Sequence, residues 1–214
     1  MTLIIIDGLD GSGKSTQALY ISKFLQSLGK TVCLRVHPTN DNFFGVKTKQ
    51  FLLSSGKNAH FASALFYMMD VIRSVLLFSW QRCDYIVFVR YLMGTAYLPS
   101  PLHKIAYHFF SVIVPKSQMM FFLDVTPEKA AVRISQNRNE KEMFENISAL
   151  REVRRKALAL AYGGKWIIVN ADKPVSEVAE TIEKGLAHCE RYTRKGSIVT
   201  NGNKKAQAFS NVIL

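Results

Sequence analysis

Acidic residues are scarce in this 214-residue chain: 16 aspartates and glutamates against 28 lysines and arginines leave a formal charge of +12. Cysteine is scarcer still. Cys33, Cys83 and Cys189 are odd in number, far apart and without C-x-x-C spacing, and the five histidines show no ligand pattern. A disulfide framework and a zinc site are therefore not expected, and all three thiols read as reduced. No uninterrupted apolar run approaches the ~18 residues that span a bilayer, and the chain enters a strand without the basic segment of a signal peptide. A cytoplasmic protein with no membrane partner is the expectation. The hydrophobic content of 48% at this length suits a single well-cored domain.

The positive charge suits polyanionic partners. Five of the positive charges, Arg191, Arg194, Lys195, Lys204 and Lys205, follow the last acidic residue, Glu190. Residues 195–214 are dominated by Gly, Asn, Ser and Lys without periodicity and read as a flexible, solvated basic tail behind a domain over 1–194. Nucleotides, rather than nucleic acid, are the expected anions.

What the chain does have is a glycine-rich turn in a telling place. Residues 3–6, Leu-Ile-Ile-Ile, read as a buried strand, and 16–28 carry helical periodicity. Between them Gly8, Gly13, Lys14 and Ser15 have P-loop spacing. In that motif the glycines, with Gly11 and Ser12 between them, let backbone N–H groups converge on phosphate oxygens, and the helix N-terminus adds partial positive charge. Lys14 then reaches the β and γ phosphates of a nucleotide, and the Ser15 hydroxyl binds Mg²⁺.

Downstream, 31–36, 84–89, 119–125 and 166–170 read as strands. Helices are expected over 46–53, 60–81, 102–114, two stretches between 127 and 160, and from 175 to 186. Pro127 after Thr126 predicts a helix start, with Thr126 as cap. The 60–81 helix is apolar on nearly every face, with Phe61, Leu65, Phe66, Met69, Ile72, Leu76, Phe78 and Trp80, so it is either central or shared with a second subunit. Arg151, Arg154 and Arg155 read as a solvated basic face. Alternating strands and helices predict a three-layer α/β sandwich, a five-stranded parallel sheet with helices on both faces. The loops 7–15, 37–44, 89–99 and 124–142 then converge at the C-terminal edge of the strands, with a short lid at about 133–145.

These residues resemble the thymidylate kinases among the P-loop nucleoside monophosphate kinases. Asp7-Gly8-Leu9-Asp10-Gly11-Ser12-Gly13-Lys14-Ser15-Thr16 is similar to the family's phosphate loop. Leu65-Phe66-Tyr67-Met68-Met69-Asp70 is similar to its Leu-Leu-Phe-Ala-Ala-Asp helix, and Val89-Arg90-Tyr91 stands where it has Asp-Arg-Tyr. Ala96-Tyr97, Phe122-Leu123-Asp124-Val125 with Pro127-Glu128, then Arg133, Arg138 and Phe144-Glu145, follow its later motifs.

The resemblance implies transfer of the ATP γ-phosphate to a deoxynucleoside monophosphate, dTMP giving dTDP, with Mg²⁺; the apolar circumference of the 61–80 helix predicts a homodimer. Gly8, Asp10, Gly11, Ser12, Gly13, Lys14, Ser15 and Thr16 would bind ATP, and Ser15 the metal. Asp10, Lys49, Tyr67, Arg90 and Tyr97 would bind the acceptor: Arg90 and Lys49 its phosphate, Asp10 a sugar hydroxyl, Tyr67 the base, and Tyr97 the sugar's 2′ side. Because Gly11 fills the P-loop position where some members carry the transition-state cation, the lid must supply it, from Arg133, Arg138 or Lys141. Phosphoryl transfer asks for cations and alignment more than for a base.

The sequence departs from the family at four places. Val89 replaces a carboxylate that supports Mg²⁺, with Asp7 as a nearby substitute; Val71 replaces the arginine at the thymine edge; Val36-His37-Pro38 stands for Arg-Glu-Pro; and Met143 replaces a lid arginine. Two other readings stay open at this level: a catalytically weakened nucleotide-binding protein with a regulatory role, and a deoxynucleoside kinase.

Overall fold

The computed structural model describes residues 1–54, 57–117, 119–137 and 146–189. Its centre is β1, Thr2–Gly8, whose consecutive Ile4, Ile5 and Ile6 are all fully buried. A strand can bury neighbouring side chains only when both faces of its sheet are covered. Each such isoleucine contributes about 1.5–3 kcal/mol relative to exposure.

The sheet is five-stranded and parallel, in the order β2-β3-β1-β4-β5. Here β2 is Val32–Val36, β3 Tyr85–Val89, β4 Met119–Asp124 and β5 Ile167–Asn170. Ile6 lies in register with Val89 on one side and Phe121 on the other, and Val36 faces Val89 from β2. The chain crosses from one side of β1 to the other between β3 and β4, which is the reversal point where open α/β sheets bind ligands.

Helices α1 (Lys14–Ser27), α2 (Phe43–Leu52), α3 (Lys57–Phe78), α4 (Leu102–Ile113), α5 (Pro127–Asn137) and α6 (Ile147–Gly163) connect the strands, with a 3₁₀ turn at Met93–Tyr97. A seventh helix, α7, covers 175–189. Helix α2 starts three residues earlier than the periodicity predicts because the Asn42 side chain caps it, accepting from Gly45 N at 3.1 Å. Its first turn lies so close to the preceding loop that a Cβ at Gly45 would stand 2.3 Å from the Thr39 carbonyl oxygen. Thr126 does something other than the expected capping: its N–H and hydroxyl both donate to Asp172, at 3.0 Å each.

Three expectations need correction. Cys33 and Cys83 are joined in a disulfide, with Cα atoms 6.2 Å apart, although 50 residues separate them. Parallel pairing of β2 with β3 lays the approach to β3 alongside β2, a neighbourhood invisible in the spacing. Cys189 is free and buried. The arginines of α6 are not simply solvated: Arg154 forks onto Asp124 at 2.7 and 2.8 Å, and Arg151 reaches Glu128 at 2.8 Å. Finally, one stretch of α3, Phe61–Phe78, is long and apolar enough to cross a membrane by length and composition. Its Tyr67, Met68 and Val71 belong to the protein's own core, and Asp70 within it is fully buried. The tail from residue 195 lies outside the described residues.

Candidate active site

The loop after β1 takes its shape from glycine: Gly8, Gly11 and Gly13 have φ of 153°, 75° and 86°. Such values strain residues that carry a Cβ. Gly11 also needs its missing side chain, since a Cβ would come within 2.7 Å of the Ala130 carbonyl oxygen on α5. In this geometry an arginine at position 11 has no room, which is a physical reason for the cation to come from elsewhere.

Gly13 precedes α1 with no side chain capping the helix, so its first-turn N–H groups face the loop's concavity. The buried Ser12 hydroxyl has no hydrogen-bond partner among the described residues. Lys14 is buried as well, and its ammonium donates to the carbonyls of Gly8 (2.9 Å) and Leu9, 3.6 Å from Asp10 Oδ1. Burial pulls its pKa down to about 8 against the attraction of Asp10. An orphaned hydroxyl, an uncapped helix and a poorly solvated lysine all fit a polyphosphate.

Asp10 organises the other half of the site. Its Oδ1 accepts from Arg90 Nη2, and its Oδ2 from the Tyr97 hydroxyl at 2.9 Å. Burial alone would raise its pKa, but the charges of Arg90 and Lys14 hold it well below the usual carboxylate range. Tyr97 moves the other way, well above its ordinary value, through burial first and then the Asp10 charge. Arg90 occupies the left-handed region at φ 60°, with Nη1 on the His37 carbonyl at 3.2 Å. Arg90 and Tyr97, from the segment after β3, thus meet on the carboxylate of Asp10 from the phosphate loop, all three being residues expected to touch the acceptor.

Two buried carboxylates that sequence reasoning gave little part hold the loops in place. Asp7 accepts from Gly8 N (2.9 Å) with one oxygen and from Tyr91 N (2.8 Å) and Met93 N (3.0 Å) with the other. It joins the phosphate loop to the segment after β3, and burial raises its pKa despite those bonds. Asp70 accepts from Thr39 N and Thr39 Oγ1, both at 2.8 Å, and from Asn42 Nδ2 at 2.7 Å. It anchors the loop between β2 and α2 to α3. The available signal was a lone carboxylate inside an apolar helix, which has to be partnered if it is buried.

The remaining predicted residues fall as follows. Arg133 lies over the phosphate loop, donating to Gly11 O at 3.3 Å and Ala171 O at 3.1 Å. Lys49 binds Asn40 Oδ1 in the loop that Asp70 anchors. Tyr67 is buried, with its ring against Gly94 and its hydroxyl donating to Tyr91 O at 3.2 Å. Ser15 and Thr16 are exposed at the start of α1. Val71 is in the core, and Arg73 turns to Asp41 at 3.9 Å. Arg138, Lys141, Met143 and most of the expected lid lie outside the described residues.

For Mg²⁺ the protein offers little. Both Asp7 oxygens are taken by backbone N–H groups, Val89 is fully buried, and no group of three or more His, Cys, Asp or Glu side chains suited to a metal occurs among the described residues. Ser15, exposed at the start of α1, offers a hydroxyl oxygen, so these residues fit a metal that arrives already chelated by nucleotide phosphates.

This arrangement can be set beside known proteins. The thymidylate kinase family profile matches residues 6–182. A probable thymidylate kinase of Archaeoglobus fulgidus is 30% identical over 188 residues, covering 85% of this chain and 93% of that protein. Its counterpart in Sulfolobus acidocaldarius is 30% identical over 186 residues, covering 84% and 93%. The solved structure of thymidylate kinase from Candida albicans shares the fold, with a TM-score of 0.64 at 21% identity over 87% of this chain and 93% of that one. A match running from the end of β1 into α7 takes in the phosphate loop, Arg90 and Arg133 alike, and so the chain belongs to the thymidylate kinase family.

Proposed function

We propose that this protein transfers the γ-phosphate of ATP to dTMP, giving dTDP. The observation that carries the reading is the position of Asp10 Oδ1, bonded to Arg90 and 3.6 Å from the Lys14 ammonium. One oxygen spans the cation of the donor loop and the cation at the end of β3, so two phosphates bound to these cations would lie side by side. The acceptor oxygen is already a nucleophile. The protein's task is to align it with the γ-phosphate and to neutralise the charge that spreads in the transition state.

In this reading the P-loop backbone from Gly8 to Thr16, with Ser12 and Lys14, holds ATP. Ser15 would hold Mg²⁺ brought in with the nucleotide, and the metal would supply neutralising charge at the phosphates. Arg90, supported by Lys49 and Asn40, holds the acceptor phosphate. Asp10 and Tyr97 face the sugar, and Tyr67 forms part of an apolar wall. Arg133, which donates to Gly11 O, would supply the lid cation, with Arg138 as the other candidate. The test is ADP release from ATP and Mg²⁺ across a panel of nucleosides and monophosphates, with dTMP expected to give the highest kcat/KM. Equal inertness toward every monophosphate would favour a regulatory nucleotide-binding role, and a preference for free deoxynucleosides would assign the alternative kinase activity.

We also expect a homodimer. Helix α3 leaves Phe61, Leu65 and Leu76 exposed, Trp80 in the turn after it is 88% exposed, and α4 adds Ile105, Phe109 and Val112. Between these helices lies an apolar cavity of about 160 Å³ lined by Phe61, Leu65, Leu98 and Phe110, among others. Surface of this kind is characteristic of subunit contacts. Sedimentation should show a dimer at micromolar concentration, and Phe109→Glu should convert it to monomer; a wild-type monomer would count against the α3–α4 interface. A need for ATP supports a cytoplasmic setting for this activity, in which the Cys33–Cys83 bridge would be unusual.

A further inference from the structure

Arg90 adopts a conformation that an L-residue with a long side chain rarely takes, φ 60°. A backbone held there needs neighbours that fix it on both sides. Its N–H donates to Ile6 O at 3.1 Å, which continues the sheet ladder. Its carbonyl is met instead by a side chain, His37 Nδ1 at 3.0 Å, the same nitrogen lying 3.3 Å from Val89 O. Both neighbours are carbonyl oxygens and can only accept, so Nδ1 carries the hydrogen, and in the neutral ring that burial favours Nε2 is the bare nitrogen. The main chain of His37 adds two more links. Its N–H donates to Val89 O at 3.0 Å, and its carbonyl accepts from Arg90 Nη1 at 3.2 Å.

We propose that His37 is a positioning residue for Arg90: it fixes the arginine's left-handed backbone through Nδ1–H and aims the guanidinium through its own carbonyl. The proposal rests on the reading of Arg90 as the clamp for the acceptor phosphate. Several features separate this role from packing. The imidazole is fully buried with its edge near Phe88, at 5.5 Å between ring centres, a surrounding that an apolar ring would fill equally well. Yet the position keeps a polar ring whose Nε2 has no hydrogen-bond partner among the described residues. Leaving that nitrogen buried is unfavourable, and the bond from Nδ1 to the Arg90 carbonyl is what the ring provides in return.

Three variants separate donor chemistry from ring volume. His37→Phe keeps a ring and loses the donor. His37→Asn keeps an N–H group at nearly the Nδ1 position, and His37→Gln carries its amide nitrogen beyond it. A misaimed acceptor clamp should raise the KM for dTMP roughly tenfold or more in His37→Phe, with the KM for ATP changed less than about twofold. His37→Asn should return the dTMP KM to within about threefold of wild type, and His37→Gln should not. In an Arg90→Met background His37→Phe should add nothing further, because its effect runs through the missing arginine.

The proposal is overturned if His37→Phe leaves the dTMP KM unchanged, if Phe and Asn lose affinity for both nucleotides alike, or if the effects of His37→Phe and Arg90→Met multiply independently. Should His37→Phe fail to fold, the same cycle run with His37→Gln decides the matter. If Arg90→Met by itself leaves the dTMP KM at wild type, the clamp reading falls and this proposal falls with it. If Arg90→Met raises that KM and His37→Phe does not, the proposal alone is wrong.

Discussion

Lys14→Met should reduce phosphoryl transfer by about 10²–10³-fold or more while leaving the protein folded, the scale seen when one preorganised transition-state contact is removed. The lysine stands at the first position of α1, buried in a loop whose shape the glycines set, and methionine fills similar volume there. A second readout ties the effect to charge. Burial pulls the Lys14 pKa down to about 8, and the β and γ phosphates of bound ATP would return it toward its ordinary 10.5. A pKa that rises on binding means proton uptake at any pH between the two values. ATP binding should therefore take up close to one proton near about pH 9 and almost none near about pH 7, measured by calorimetry in buffers of different ionisation heat. Lys14→Met should abolish that uptake. Full turnover in this variant, or unchanged proton uptake, would remove the P-loop assignment.

The sequence revealed the sheet and the phosphate loop because both are written locally. Ile4 to Ile6 read as a doubly covered strand, and the spacing from Gly8 to Ser15 admits few other uses. It also named Asp10, Arg90 and Tyr97, which the fold joins in one hydrogen-bonded cluster. What stayed hidden depends on contacts between distant segments. Nothing in the spacing of Cys33 and Cys83 shows that β2 and β3 pair in parallel and bring them together. Nor does the pattern show that Arg154, seemingly on a solvated face, reaches Asp124 at the end of β4.

The metal question shows the same division. Val89 for aspartate was legible as a lost carboxylate, and Asp7 was its natural substitute. The structure gives that substitute other work, since Tyr91 N and Met93 N bond one Asp7 oxygen and Gly8 N the other. Asp7 serves as a bracket between two loops, a role that becomes visible only when the backbone after β3 is placed. Tyr67 is a parallel case. An aromatic at that point of an apolar helix reads equally as base platform or as core, and burial against Gly94 shows that packing is at least part of its work.

Arg90→Met is expected to separate the two things Arg90 does. On the catalytic side, kcat/KM for dTMP should fall about 10²–10³-fold if Arg90 holds the acceptor phosphate as proposed, because that charged contact would be lost, while the KM for ATP stays near wild type. On the structural side, the variant leaves Asp10 buried without its nearest cation. Breaking a buried ion pair costs about 3–5 kcal/mol when the remaining charge has no other partner. Lys14 at 3.6 Å and the Tyr97 hydroxyl at 2.9 Å still face Asp10, so the loss should be the smaller part of that range. The pH dependence identifies the carboxylate. In the wild type the pKa of Asp10 is held below its ordinary 3.8, so the stability it contributes is present above about pH 4 and lost as the pH falls. The stability gap between wild type and Arg90→Met, from urea unfolding, should accordingly narrow below about pH 4. Adding Asp10→Asn to Arg90→Met removes the stranded charge and should recover stability without recovering transfer. If stability and dTMP turnover instead return together in the double variant, Arg90 acts only by neutralising Asp10, and the acceptor phosphate has another holder.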